Sequence, residues 1–161
     1  MLAVMLMGVF AYAQQVKIGI VNAQEVLVKT KAGASVQKKL EALQKQKQQE
    51  IQKRQAAIKQ LEKELTSPAL NDETRQRKQE DMAAKRTALK RFYEDAQREV
   101  QRVSAKELAA LEKEIMPLIN QIGKAKGFTA IFDRDRSGLV YYNPAVDITQ
   151  DVIKALDAKK K

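Results

Sequence analysis

Charged side chains are the groups of this 161-residue chain that could do chemistry, because the sequence contains no cysteine and no histidine. Those absences exclude thiol and imidazole catalysis and remove the two commonest transition-metal ligands. Asp133, Asp135 and Asp147 offer carboxylates, but no supporting cluster of ligands accompanies them, so we interpret them as turn and cap residues. The sequence has neither a phosphate-cradling loop nor a nucleophile with a partner base. We therefore expect no enzyme, no cofactor and no metal site.

The remaining chemistry is ionic, since 30 basic side chains outnumber 20 acidic ones and give a net charge of +10. Such a chain favours an acidic partner, which leaves nucleic acid, an anionic lipid surface and an acidic polypeptide open. The candidate basic contacts share one long polar segment; they are Lys38, Lys39, Lys45, Lys47, Lys53, Arg54, Lys59, Arg75, Arg77 and Lys78. The candidate apolar contacts of that segment are Leu65, Leu70, Phe92 and Tyr93. Solvated surface is the alternative role for the cations, and packing between helices is the alternative for Phe92 and Tyr93.

The segment that must position these residues predicts a long helical hairpin, which we call the arm. Helix-forming residues fill residues 34–116, which contain no glycine and only one proline, Pro68. Apolar residues recur there every three or four positions, so each helix carries one narrow apolar stripe. The pattern breaks at residues 66–72, where Asn71 or Asp72 can cap the returning helix. The sequence therefore predicts an arm over residues 36–116 with its tip near 66–72.

Two cations interrupt the predicted contact between the two helices of the arm. Lys47 and Arg54 fall where the outgoing helix should present apolar residues, and an 11-residue interval from Leu40 to Ile51 replaces the heptad. This pattern predicts a loosely specified coiled coil. Acid-first pairs one turn apart should support the helices; they are Glu41/Lys45, Glu50/Arg54, Asp81/Lys85 and Glu94/Arg98.

The two ends of the chain predict one small body, over residues 14–35 and 117–161. Val16 to Val21 reads as a strand, followed by a short helix that Asn22 caps. Residues 128–132 and 139–142 predict a β-hairpin, and Thr149 is the expected N-cap of a last helix. The candidate core or oligomer-interface residues are Ile18, Ile20, Ile131, Phe132, Val140, Tyr141 and Tyr142. A body this small has little core of its own, which favours oligomerisation.

The first thirteen residues, MLAVMLMGVFAYA, predict a secretory signal peptide that is cleaved near Ala13. An apolar run of this length falls short of the roughly 20 residues that span a bilayer, which disfavours a transmembrane anchor. A signal peptide normally begins with positive charges, and their absence here leaves the true translation start open. We therefore expect an exported, soluble mature protein.

The order of these blocks resembles the Skp/OmpH family of periplasmic chaperones over essentially the whole mature chain. The blocks are VKIGIVNAQEVL, the charged hairpin, GFTAIFD and LVYYNPAVDITQDVIKAL. The last block is the most specific, since a run ending in tyrosines precedes Asp147-Ile148-Thr149 and an amphipathic helix. The resemblance implies an α+β, mostly α fold in which the arm is inserted in a small β-containing body that trimerises.

The same resemblance implies a function. Three arms of a homotrimer would surround a cavity that holds unfolded outer-membrane proteins in the periplasm without ATP. Lipopolysaccharide is a further partner of some members, although no lipopolysaccharide motif matches this sequence residue by residue. Two other functions stay open: an exported scaffold for an anionic envelope polymer such as lipopolysaccharide, and a nucleic-acid-binding protein, which the pI near 9.7 fits but export argues against.

Overall fold

The computed structural model describes residues 16–159, so the predicted signal peptide lies outside the described residues. The elements follow in the order β1 (Ile18–Val21), α1 (Ala23–Lys29), α2 (Lys31–Leu65), α3 (Asp72–Ala125), β2 (Ala130–Asp133), a short 3-10 turn (Pro144–Val146) and α4 (Thr149–Lys159). The predicted α+β, mostly helical fold is confirmed. No helix within residues 16–159 is both long enough and apolar enough to cross a membrane.

The helices α2 and the first part of α3 form the predicted hairpin. Contacts join residue 39 to 107, residue 47 to 99 and residue 64 to 78, so the two helices run antiparallel. Ile51, Ile58 and Ala96 are buried along the arm. Few of its other side chains are, because a two-helix arm has only one narrow apolar stripe on each helix to bury.

Side-chain caps set where these helices begin. The Thr30 hydroxyl accepts a hydrogen bond from Gly33 N at 3.1 Å, and the Asn71 side chain accepts one from Thr74 N at 2.8 Å. Asn71, rather than Asp72, is therefore the cap of α3. Gly33 lies inside α2 and close to α1, since a Cβ built there would stand 1.5 Å from the Leu27 carbonyl oxygen. Only glycine fits this crossing of the two helices.

The predicted β-hairpin is wrong. β1 pairs with β2 in parallel, with Ile18 opposite Ala130 and Val21 opposite Asp133, and residues 139–142 form no strand. The other edge of β1 is also used, because Ile148 N donates to Ile20 O at 2.8 Å. The sequence pattern of two neighbouring apolar runs suggested a local pairing. In the structure, β1 pairs with β2 in place of residues 139–142.

The core of the body joins α1, α4 and the end of α3. Val26, Val152 and Leu156 are fully buried, and the α3 residues Leu111, Ile115 and Leu118 pack into the same cluster. α3 continues through Pro117, which lies between the cluster residues Ile115 and Leu118. The helix that builds the arm therefore also supplies much of the core that anchors it.

Thr149 has a different role from the predicted one. It is the first residue of α4, and its hydroxyl accepts a hydrogen bond from the buried Asn22 N at 2.8 Å. The carboxylate of Asp147 accepts a hydrogen bond from Thr149 N, the first backbone N–H of α4, at 2.8 Å. The predicted N-cap is therefore wrong, because Thr149 lies inside α4 and its hydroxyl joins the two ends of the chain.

Candidate binding surface of the arm

Lys47 and Arg54 are packed in the seam between the helices of the arm. Both are half-buried, and they lie beside the half-buried ring of Phe92. Lys47 Nζ lies 5.7 Å from the centre of that ring, and Arg54 Cζ lies 4.4 Å from it. Lys47 also pairs with Glu99 at 2.6 Å, and Arg54 pairs with Glu50 at 2.9 Å. Such cation–π contacts are each worth about 0.5–1 kcal/mol at exposed sites, so these cations contribute to the arm as packed groups.

The cations near the tip hold the turn together. The Arg75 guanidinium donates to Leu65 O at 2.7 Å and to Ser67 O at 3.3 Å, which satisfies carbonyls that the end of α2 leaves free. Lys78 pairs with Glu64 at 2.5 Å. Hydrogen bonds from Lys78 and then from Gln60 lower the pKa of Glu64. Arg75 and Lys78 are therefore engaged within the tip.

The other predicted cations divide into two groups. Lys39 pairs with Glu107 across the arm, and Arg77 pairs with Glu73 on its own helix. Four lysines of α2 are exposed and form no ion pair within residues 16–159; they are Lys38, Lys45, Lys53 and Lys59. These four are part of the positive charge that the arm presents to a partner.

Of the predicted apolar contacts, only Tyr93 is largely exposed. Leu65 and Leu70 are half-buried at the tip, and Phe92 is half-buried in the seam. Tyr93 is 51% exposed, and it lies along one edge of the arm. The aromatic pair predicted from the sequence thus has one member inside the arm and one on its surface.

One edge of the arm carries a row of shallow, open hollows, which sequence reasoning missed. Three hollows of about 440, 360 and 690 Å³ follow each other there; Gln44 is shared by the first two, and Ile51 and Tyr93 by the last two. We call this feature the glutamine groove, after Gln37, Gln44, Gln48, Gln55, Gln97 and Gln101, which line it. Its aliphatic lining includes Val36, Leu40, Ile51, Leu89, Val100 and Leu108. The glutamines of α2 recur at intervals of about seven and four residues, a helical spacing that could have revealed a shared face.

The predicted body residues are spread between the core and the surface. Ile20 is buried, Ile131 packs against the core, and Tyr142 is half-buried with its hydroxyl 3.2 Å from Asp147 Oδ2. Hydrogen bonding by Tyr142 and Asp135 raises the pKa of Arg134. Four others are exposed in the single chain: Ile18, Phe132, Val140 and Tyr141. Their exposure leaves an apolar surface on the body.

The aspartates of the body take local roles. Asp133 Oδ1 accepts a hydrogen bond from Asp135 N at 3.0 Å within the turn after β2, and Asp147 Oδ1 accepts one from Thr149 N at the start of α4. Asp135 pairs with the neighbouring Arg134 at 3.0 Å. These bonds agree with the interpretation of the three aspartates as turn and cap residues.

Three comparisons with known proteins bear on this architecture. The family described as outer membrane protein (OmpH-like) matches residues 17–156. An uncharacterized protein of Aquifex aeolicus (strain VF5) is 30% identical over 131 residues, which cover 79% of this chain and 75% of that protein. A crystal structure from Caulobacter crescentus CB15, described as an OmpH-like outer membrane chaperone, has a TM-score of 0.82. It is 24% identical and covers 89% of this chain and 85% of that one, so it shows a shared fold.

Proposed function

Because the chain belongs to the OmpH-like family, we propose that it is an ATP-independent holdase that binds unfolded outer-membrane proteins and prevents their aggregation. The family match over residues 17–156 is the observation that carries this proposal. OmpH-like proteins are periplasmic and generally non-enzymatic, which fits the expected export after cleavage near Ala13. The client is a protein in transit to the outer membrane.

The holding unit that we propose is a homotrimer with the arms around a central cavity. Support comes from the apolar surface of the body, where Phe132 is 45% exposed and Tyr141 is 82% exposed in the single chain. Exposed apolar surface of this kind is typical of a protein–protein interface. Packing between bodies would cover it and bring three arms to one side.

Capture would combine charge and apolar contact on each arm. The four predicted lysines of α2 that form no ion pair attract acidic segments from a distance, which speeds encounter and makes it sensitive to salt. Each contact is weak, but contacts from several arms add through multivalency. A client held in this way keeps its freedom to rearrange, which suits a protein that must fold later.

The direct test is an aggregation assay without nucleotide. A urea-unfolded outer-membrane protein is diluted into buffer that contains a near-stoichiometric amount of the chain, and light scattering is followed. We expect scattering to be suppressed. Aggregation that proceeds unaffected would overturn the proposal, and tight, salt-sensitive binding to duplex DNA or to lipopolysaccharide in its place would favour the two alternatives.

The arm lysines can be tested separately in the same assay. Lys53→Gln/Lys59→Gln removes two exposed cations from the arm, and Lys124→Gln/Lys154→Gln removes two exposed cations from the body. We expect the arm variant to capture a client a few-fold more slowly at low salt, with the body variant within about twofold of the parent chain. Equal slowing would show that only net charge matters.

A further inference from the structure

Two cations that line the glutamine groove form ion pairs within the arm. Lys47 pairs with Glu99 at 2.6 Å, and Arg86 pairs with Glu62 at 2.6 Å. Only 20% of the Lys47 side chain is exposed. Two of the cations beside the groove are therefore engaged within the arm and are poorly placed to attract an acidic partner.

The remaining charges of the groove nearly balance, since Lys90 carries one positive charge and Glu41 and Glu94 carry one negative charge each. Glu41 accepts a hydrogen bond from Gln37, while Lys90 and Glu94 form no ion pair within residues 16–159 and carry opposite charges. The groove is thus close to neutral on a chain whose net charge is +10. A surface that is close to neutral favours an uncharged occupant over a strongly charged one.

The lining of the groove matches the chemistry of a polypeptide backbone. Each glutamine amide offers two N–H donors and a carbonyl acceptor, and each residue of an extended chain offers one donor and one acceptor. Between the amides lie aliphatic side chains and the exposed ring of Tyr93, which can contact apolar side chains of the occupant. The surface therefore offers both hydrogen bonds and apolar contact without needing a charge.

The length of the groove fits a short extended segment. From Gln37 to Gln55 the helix α2 rises about 27 Å, at about 1.5 Å per residue. An extended chain rises about 3.4 Å per residue, so about eight residues would fill that length. A membrane-spanning β-strand has about 9–11 residues, close to this size.

We propose that the glutamine groove binds uncharged extended segments of the client, of the kind that become membrane-spanning strands. This proposal rests on the proposed function and divides the work between two sets of side chains on the arm. The unpaired lysines attract acidic parts of the client, while the groove holds neutral, strand-forming parts. Binding in the groove should therefore be nearly independent of salt.

The probe is a blocked nine-residue peptide of alternating threonine and valine with one central tryptophan, used at low micromolar concentration. The chain has no tryptophan, so the fluorescence of the peptide reports binding without background. We expect a blue shift and raised anisotropy that change less than about twofold when sodium chloride is raised to about 0.5 M. A second peptide, with aspartates in place of two threonines, should bind more weakly in the groove.

The matched variants differ only in which face of α2 they change. Gln48→Glu/Gln55→Glu places two carboxylates in the groove, whereas Gln46→Glu/Gln49→Glu places them on exposed positions of α2 outside it. We expect the groove variant to bind the neutral peptide about tenfold more weakly, because a covered carboxylate loses hydration and cannot donate a hydrogen bond. The control variant should stay within about twofold. Circular dichroism checks helix content, and Gln97→Glu on α3 replaces the groove variant if that one fails to fold.

The outcomes separate the two proposals. Groove binding is overturned if the neutral peptide does not bind, if both variants bind it equally, or if binding needs the aspartates and disappears in salt. It is also overturned if the groove variant changes the mass of the chain in solution, since the occupant would then be a second copy. If the chain suppresses aggregation but does not bind the peptide, only the groove proposal is overturned. If it binds the peptide but does not suppress aggregation, only the holdase proposal is overturned.

Discussion

The positions of Lys47 and Arg54 in the arm follow from the sequence, whereas their partners do not. Helical periodicity placed Lys47 and Arg54 in the seam, and the structure has them there. Their contacts with Phe92 and Glu99 come from the other helix, which the local pattern could not identify. The reason is that periodicity reports which face a residue is on, whereas partners depend on the register between two helices.

The hydrogen bond between Asn22 and Thr149 should contribute to the stability of the body. Thr149→Val removes the acceptor for a buried N–H while keeping the shape of the side chain, so we expect a loss of about 1–3 kcal/mol in the free energy of unfolding. Urea denaturation followed by circular dichroism measures it. Thr87→Val is the control, because the exposed Thr87 hydroxyl bonds only to Ala83 O of its own helix. Similar losses in both variants would contradict this role of Thr149.

At the scale of elements, the helices were predictable and the sheet was not. The arm follows from an absence of glycine, a high content of helix-forming residues and one break near Pro68, all of which are local signals. Pairing of β1 with β2 joins Ile18 to Ala130, far apart in sequence. No local pattern distinguishes that parallel pair from a hairpin between neighbouring runs. The glutamine groove was not predictable for the same reason, because its lining depends on the register between α2 and α3.

The tip of the arm depends on Arg75 more than on its neighbour Arg77. Arg75→Ala removes hydrogen bonds to two carbonyls at the end of α2, whereas Arg77→Ala removes an exposed pair with Glu73. We expect a cost of about 1–2 kcal/mol for the first and less than about 0.5 kcal/mol for the second. Amide hydrogen exchange over residues 63–71 measures this difference. Equal exchange in both variants, which have the same net charge, would contradict it.

The seam of the arm provides a prediction that links stability to holding. Lys47→Leu/Arg54→Leu continues the apolar stripe, so we expect the arm to gain about 1 kcal/mol in stability and to capture a client more weakly. Thermal unfolding and the aggregation assay measure the two effects. Lys106→Leu/Lys113→Leu removes two exposed cations outside the seam and should leave arm stability unchanged. A stiffer arm with unaltered holding activity would count against a role for these seam cations.

At the scale of the whole molecule, the chain has two kinds of surface that a single copy leaves uncovered. The body exposes Phe132, Val140 and Tyr141, and the arm exposes its lysines and the glutamine groove. We propose that other copies of the chain cover the first surface and that the client covers the second. This division explains why a small body carries so long an arm.

The most direct test of this account is the mass of the complex, measured by light scattering during size-exclusion chromatography. The chain is mixed with a urea-diluted outer-membrane protein at micromolar concentration and without nucleotide. The account predicts the mass of three copies for the chain alone, and of three copies with one client for the mixture. A chain that stays monomeric while the client elutes separately as aggregate would contradict it.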